Sequence, residues 1–187
     1  RPLKETGSAS GKRQLAENRA RTETATRAAV DPARFREAMS RVGAAVHIVT
    51  TDGPAGLGGI TASAVTSITI EPPMMLFCIN KASRCAAKVI KNGVFCINTL
   101  ARADQQLSDM FAGRTGHRLE ERFASTAWRV LATGAPVLAS ALVAFDCRLI
   151  EAKEVTTHLL MIGTVEAVEI APKAEALMYA HREYWRL

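Results

Sequence analysis

The sequence predicts a mainly β, α+β fold: an antiparallel β-barrel with peripheral helices. Three observations predict it. Several segments read as strands, and in VAFDCRLIE (143–151) apolar and polar residues alternate at period two, as a half-buried strand requires. Helix-like segments are few and scattered between those strands. The regular strand–helix–strand alternation of a doubly wound sheet is missing.

The elements follow in order. Residues 1 to 30 show no strong hydrophobic period, although QLAENRARTETATRAAV is compatible with a loose helix. Asp31-Pro32 reads as an N-cap followed by proline at the first helical position. Phe35, Met39 and Val42 give a helical stripe through FREAMSRV. AAVHIVTT is a strand that runs into the turn-rich DGPAGLGG. GGITASAVTSITIEPPMMLFCIN (58–80) reads as two strands joined at the Pro72-Pro73 corner. SRCAAKVIKNG is a helix with Ser83 as cap and Gly93 as stop, and VFCINTL is the next strand. DQQLSDMFAG is a helix with Asp104 as cap and Gly113 as stop. In VAFDCRLIE, Val143, Phe145, Cys147 and Leu149 share one face, opposite Ala144, Asp146 and Arg148. HLLMIGTVEAVEI is a long strand whose central Gly163 marks a bulge or a close backbone approach.

At 187 residues, 48% of them hydrophobic and 22% charged, the chain is long enough for one domain with a real core. Two segments are expected: a basic, poorly ordered N-terminal extension over 1–30, and a domain over 31–187. The net charge of +6 is uneven, since residues 1–34 carry eight Lys/Arg against four Asp/Glu. That extension has no aromatics for base stacking, so nucleic acid is not an expected partner. No apolar run reaches the roughly 18 residues of a membrane helix, and no secretory h-region opens the chain. Cys78, Cys85, Cys96 and Cys147 form no CxxC pair, which fits reduced thiols and a cytoplasmic location.

Motif tests narrow the chemistry. Gly56 and Gly58 lack the third glycine of a dinucleotide fingerprint, because position 61 is Thr61, and the segment leads into a strand. No Walker A sequence is present. His47, His117, His158 and His181 show no metal-ligand spacing, so no metal site is expected. No GxSxG motif or spaced carboxylate pair supports a hydrolase. His158 opens an apolar strand after Thr156 and Thr157, where a pocket mouth competes with a merely structural position. The first strand of 58–80 is rich in small and hydroxylated residues: Thr61, Ala62, Ser63, Ala64, Thr66, Ser67, Thr69. Small side chains let a planar ligand lie against the backbone, while N–H and hydroxyl groups supply donors for carbonyl and phosphate oxygens. Close packing against another backbone would give the same pattern.

GITASAVTSITIEPPMMLFCIN resembles the signature of the flavin reductase-like family on the FMN-binding split barrel, which includes the reductase components of two-component aromatic monooxygenases such as the 4-hydroxyphenylacetate system. The resemblance runs from about Phe35 to Tyr184. It includes AAVHIVTTDGPAG, FAGRTG, EERF, GAPVL, THLLMIGTVEAV and the closing YAHREYWRL. It implies an antiparallel split β-barrel that forms a homodimer, with FMN or FAD near the interface and NADH or NADPH as co-substrate. Thr61, Ala62 and Ser63 would line the flavin, and Thr66 and Ser67 would face its pyrimidine edge. Cys78, Ile79 and Asn80 would follow the ribityl chain. Ser83 would meet the phosphate, with Lys81 or Arg84 as counter-charge, and Phe111 and Ala112 would close the pocket. His158 matches the family's histidine near the nicotinamide. Ser83-Arg84-Cys85 departs from the Ser-x-Thr that relatives often carry. The implied activity is hydride transfer to flavin, with the reduced flavin supplied to a partner monooxygenase. Two alternatives stand beside it: a different acceptor such as a cobalt corrin, and a flavin-binding protein without turnover.

Overall fold

A computed structural model describes residues 29–186. The expected disorder and loose helix of residues 1–28 lie outside the described residues. Packing divides the chain into two compact units, Arg1–Met39 and Ser40–Leu187. In the first, α1 (Pro32–Ser40) starts as its sequence dictates. The Asp31 carboxylate accepts from the Arg34 backbone N–H at 3.0 Å, and proline occupies the first turn, where no N–H is needed. The helix stops at Ser40, so Val42 falls outside the stripe expected for it.

The second unit is built on one seven-stranded antiparallel sheet. Its strands are β2 (His47–Thr51), β3 (Gly58–Ala62), β4 (Val65–Ile70), β5 (Pro73–Asn80), β6 (Val94–Thr99), β9 (Val143–Val155) and β10 (His158–Ile170). They lie in the order β3-β2-β6-β9-β10-β5-β4. The two ends of this order, β3 and β4, are consecutive in the chain and joined only by Ser63 and Ala64. The sheet therefore curls round until its edges meet without pairing, leaving a seam. One further bond, Cys78 N–H to the Ala64 carbonyl at 2.9 Å, extends the β4–β5 ladder into the link beside the seam. The hydroxyl-rich stretch of the sequence is this seam. A strand that closed the ladder would be selected for Val and Ile; one that borders an opening is not.

Helix α2 (Arg84–Asn92) follows β5 and has the boundaries its sequence announces. Ser83 accepts from the Cys85 N–H, and Gly93, at φ 69°, returns its N–H to the Val89 carbonyl. A 3₁₀ turn over Arg102–Asp104 leads into α3 (Gln105–Phe111). Asp104 does not cap α3 with its side chain, contrary to the expectation; its carboxylate accepts from the Ala101 N–H and from Ser140 Oγ instead. Next come α4 (Leu119–Ala124) and the short pair β7 (Trp128–Val130) and β8 (Pro136–Leu138). β1 (Ala44–Ala45), β11 (Leu177–Ala180) and β12 (Glu183–Arg186) form a small separate sheet, which periodicity in so short a span did not announce.

The core has three parts. Phe77, Phe95, Ile97, Val89 and Met161 fill the barrel on the α2 side, and Ile48, Leu100, Phe111, Phe123 and Leu138 pack under α3 and α4. Val94, Cys96, Ala135, Val137 and Ala144 make the third, between the sheet and the β7–β8 hairpin. This last cluster corrects the expected alternation of β9. Ala144 and Asp146 are buried along with Cys147, because the hairpin covers the face that was expected to meet water. Asp146 is held there by the Thr133 backbone N–H at 2.8 Å and by the Thr133 hydroxyl. Gly163 meets both halves of its expectation. The β9–β10 register shifts between Ile162 and Gly163, and a Cβ at that position would lie 2.6 Å from the Phe95 ring.

His47 sits inside this core, 8% exposed, with Nδ1 3.0 Å from Thr99 Oγ1. Burial drives its pKa down to about 4, so it folds as the neutral imidazole. The folded pKa lies below the unfolded value of about 6.5, so the unfolded chain binds the extra proton between them. The associated stability is complete above pH 6.5, erodes as pH falls, and is gone below about 4. Unfolding in denaturant at pH 7.5 and 4.5 is expected to show a loss of about 2 to 3 kcal/mol from this group. His47→Gln should remove that component of the pH dependence; an unchanged slope in the variant would assign it elsewhere.

Candidate functional site

Two cavities flank the seam strand β3, one on each side of the segment Phe111–Gly113. The larger, roughly 660 Å³, is lined by Gly58, Gly59 and Ile60 of β3, by Ser83, Arg84, Cys85 and Lys88 of the α2 start, and by residues of the 111–122 segment. That volume is in the range of small-molecule and cofactor sites, about 300–1,000 Å³. The glycine pair, where the turn-rich DGPAGLGG runs into the strands of 58–80, opens β3. Gly59 must be glycine because a Cβ there would fall 2.5 Å from the Phe111 ring, and Gly58 because one would fall 2.9 Å from Thr51 Cγ2. Phe111, Phe123 and Trp128 form an aromatic triad behind Gly59, Phe111 edge-on to both partners, with centroids 4.9 to 5.8 Å apart.

The wall of this cavity is cationic. Arg84, Lys88, Arg118 and Arg122 line it against the single carboxylate of Glu120. Arg118 is braced by Glu121, which accepts from its N–H at 2.8 Å and from its Nε at 3.1 Å. Those bonds hold the exposed Glu121 carboxyl below its ordinary pKa. Arg122 donates Nε to the His117 carbonyl, and Lys88 donates to the Leu57 carbonyl. Among the described residues the Arg84 side chain has no hydrogen-bond or ion-pair partner. Lys81 is engaged by Glu154 outside the cavity. Of the two counter-charges the sequence left open, only Arg84 therefore lines the cavity with its charge unspent. Cys85 contributes a neutral thiol, its pKa pushed up to about 11 by burial.

The smaller cavity, roughly 160 Å³, lies between Thr61, Ala62 and Ser63 and the C-terminal hairpin, with Ser108, Ala112, Arg114, Tyr179 and Tyr184 on its walls. Thr61 Oγ1 donates to the Ser108 carbonyl at 2.6 Å. Ala112 borders both cavities.

The structure thus brings Thr61, Ala62, Ser63 and Ala112 to one cavity and Ser83, Phe111 and Ala112 to the other. Thr66 and Ser67 stand exposed on the edge strand β4, where Thr66 Oγ1 donates to the Ser67 carbonyl. Cys78 is half-buried on β5, and Asn80 is exposed, accepting from the Ala82 N–H. Ile79 points into the core at 3% exposure, so only its backbone is available to a ligand. His158 lines neither cavity. It begins β10 in register with Asn80, three residues before the Ser83 cap, and its Nδ1 lies 2.9 Å from Thr157 Oγ1. The turn before it holds Thr156 at φ 51°, a costly conformation for a β-branched residue. Sequence reasoning missed Lys88, Arg118 and Arg122. The one signal for Arg118 and Arg122 was the density of arginines in GRTGHRLEER, whose spacing alone does not show that this segment meets β3 and the start of α2. Among the described residues no three His, Cys, Asp or Glu side chains group to hold a metal ion.

Sheet order, open seam and adjoining cavity define the class: an antiparallel split barrel of the flavin reductase type. Comparison with known proteins agrees. The chain belongs to the flavin reductase like domain family, which matches residues 39–187. An Agrobacterium fabrum protein, "FMN reductase (NADH) RutF", is 51% identical over 164 residues, covering 87% of this chain and 91% of that one. Its Methylorubrum populi counterpart is 47% identical over 163 residues, covering 87% and 80%. A flavin reductase structure from Haemophilus somnus superposes with a TM-score of 0.81 at 40% identity, covering 84% of this chain and all of that one. BorF, the flavin reductase component of a bacterial two-component tryptophan halogenase, gives a TM-score of 0.77 at 27% identity, covering 84% and 98%. The resemblance to 4-hydroxyphenylacetate reductase components holds at the level of the family, whereas the Agrobacterium and Methylorubrum relatives carry the FMN reductase (NADH) name.

Proposed function

We propose that this chain is an NADH-dependent flavin reductase that reduces FMN and releases it, reduced, to a partner oxygenase. The observation that carries the reading is the coincidence of near-full-length relatives named FMN reductase (NADH) with a seam and a cationic cavity suited to a flat, phosphorylated ligand. NADH is favoured over NADPH on the relatives' names, and FMN over FAD likewise.

The residues present fit a flavin. Arg84 and the Ser83 turn would hold the phosphate by charge-assisted hydrogen bonds, with Lys88, Arg118 and Arg122 supplying field. β3 and β4 border the seam without pairing to each other, so their outward backbone N–H groups are open to the ring's carbonyl oxygens. Thr61, Ala62 and Ser63 keep that approach low, and Thr66, Ser67, Cys78 and Asn80 continue it along β4 and β5. When bound, the flavin supplies the hydride-accepting chemistry. The protein's tasks are to stack and orient two rings and to offer N–H donors where negative charge develops. This explains why no acid–base triad accompanies the cavity.

His158 is assigned to the nicotinamide side from its match to the family's histidine, and its register beside Asn80 keeps it near the Ser83 end of β5. His158→Ala is expected to lower kcat/KM for NADH about 2- to 13-fold, the worth of one neutral hydrogen bond, and to leave FMN affinity unchanged. Stopped-flow oxidation of NADH with added FMN tests both the function and the residue. A wild type that oxidises no NADH under FMN refutes the reductase and leaves a flavin-binding protein. Superimposed wild-type and His158→Ala traces at subsaturating NADH remove His158 from the chemistry. A loss beyond 100-fold would mean that it moves a proton rather than positions a ring.

A homodimer accounts for apolar side chains left in water on the barrel unit, Ile70 at 91% and Ile170 at 78% exposure. A cytoplasmic location accords with four unpaired thiols and with the absence, among the described residues, of any helix long and apolar enough to cross a membrane.

A further inference from the structure

The geometry points to a positioning relay, Tyr184–Asp109–Arg114, by which the C-terminal hairpin fixes the wall shared by the two cavities and so sets flavin affinity. This rests on the reading of the seam and its cavities as the flavin site. The wall is Phe111-Ala112-Gly113, the tail of α3 and its exit turn. Nothing in that triplet anchors itself to the sheet by a side-chain hydrogen bond: Phe111 is apolar, Ala112 has no polar atom, and Gly113 stands at φ 76°. The anchoring comes from the residues on either side and converges on one phenol of β12. Tyr184 Oη lies 3.0 Å from Ser108 Oγ, donates to Asp109 Oδ1 at 2.9 Å, and accepts from Arg114 Nη1 at 3.2 Å. Arg114 also donates to Asp109 Oδ1 at 2.9 Å, and its backbone N–H bonds the Asp109 carbonyl at 3.0 Å. Its guanidinium carbon lies 5.8 Å from the ring centroids of both Tyr179 and Tyr184.

The loop 109–114 is thereby closed at both ends on one hydroxyl from a different sheet. Ser108 carries the constraint onward, since its carbonyl accepts the Thr61 hydroxyl of the seam. Hairpin, wall and seam form one connected path. Neither Tyr184 nor Asp109 need touch the flavin for this to act; they hold the segment that would. Tyr184 is the right residue for the role because it is a donor and an acceptor at once. Burial, the largest influence on it, raises its pKa and keeps the proton that Asp109 receives. Phenylalanine would keep the ring packing against Tyr179, 5.3 Å away, and lose only the junction.

The test uses the full chain, with Tyr184→Phe, Asp109→Asn and the double variant. Arg102→Ala serves as control, since it cuts the Arg102–Glu175 pair near the same sheet but outside the relay. Two readouts are taken: amide hydrogen exchange over 108–114, and FMN affinity by fluorescence quenching. Tyr184→Phe is expected to accelerate exchange in that segment and to weaken FMN about 3- to 10-fold, with kcat at saturating FMN changed less than twofold. The double variant should be no worse than about the poorer single, because the three groups act as one junction. Arg102→Ala should leave both readouts at wild-type values. Unchanged exchange in Tyr184→Phe overturns the relay, and so does faster exchange with unaltered FMN affinity. A wild type that binds no FMN refutes the proposed function instead, while the exchange comparison still decides whether the hairpin orders the wall.

Discussion

Arg84→Glu is expected to weaken FMN binding about 10- to 150-fold while leaving the fold intact. The side chain is exposed on the first turn of α2, lines the larger cavity, and has no ion-pair partner among the described residues. Nothing in the folded protein is lost with it, so the melting temperature should hold within a degree or two. A charge-assisted hydrogen bond to a phosphate is worth about 1.5–3 kcal/mol, and each 1.4 kcal/mol is tenfold in affinity. Reversal adds repulsion to the loss, which places the effect toward the upper end. Because the site is open to water, the loss should shrink as salt rises from about 0.01 to 0.5 M. Lys81→Glu is the matched control: Lys81 is already spent on Glu154, so FMN affinity should move less than about threefold. Equal effects of the two reversals would make the field diffuse and remove Arg84 as a specific contact. No effect of either would place the phosphate elsewhere.

Gly163→Ala carries the largest expected cost in stability. The added Cβ would lie 2.6 and 2.7 Å from Cζ and Cε1 of Phe95 and 2.8 Å from the Arg148 carbonyl. Neither neighbour can retreat. Phe95 is fully buried and edge-packed on Phe77 at 5.0 Å, and the carbonyl belongs to the paired strand at the bulge. Overpacking of this kind costs about 2 to 4 kcal/mol, well above the fraction gained by replacing glycine in a strand. For a body of this size the melting temperature should fall by about 5 to 15 °C. Gly43→Ala is the control, because its Cβ would meet nothing nearer than Ala180 at 4.0 Å and should change stability by less than about 0.5 kcal/mol. A Gly163→Ala protein melting with the wild type would show that the bulge relaxes freely.

Local signals sufficed where a residue's role is decided within a few positions of itself. Asp31-Pro32 and Ser83…Gly93 set their helices because caps act on N–H and C=O groups two to four residues away. The alternation of VAFDCRLIE and the apolar runs of β5, β6 and β10 announced a sheet, and the run of small hydroxylated residues announced an approach by something other than a core. What local signals did not decide was which faces meet. Ala144 and Asp146 are buried because β7 and β8, distant in sequence, cover them. Arg84 and Lys81, three residues apart, differ only because Glu154 reaches one of them from another strand. The cationic wall joins the α2 start to the 111–122 segment, and the relay joins α3 to the last hairpin across some 75 residues. The sequence by itself determined that this chain builds a curled antiparallel sheet with a small-residue strand. Tertiary structure alone placed that strand at the seam, beside a cavity whose charges come from α2 and the distant 118–122 segment, because burial and charge pairing depend on contacts between distant segments that no local spacing encodes.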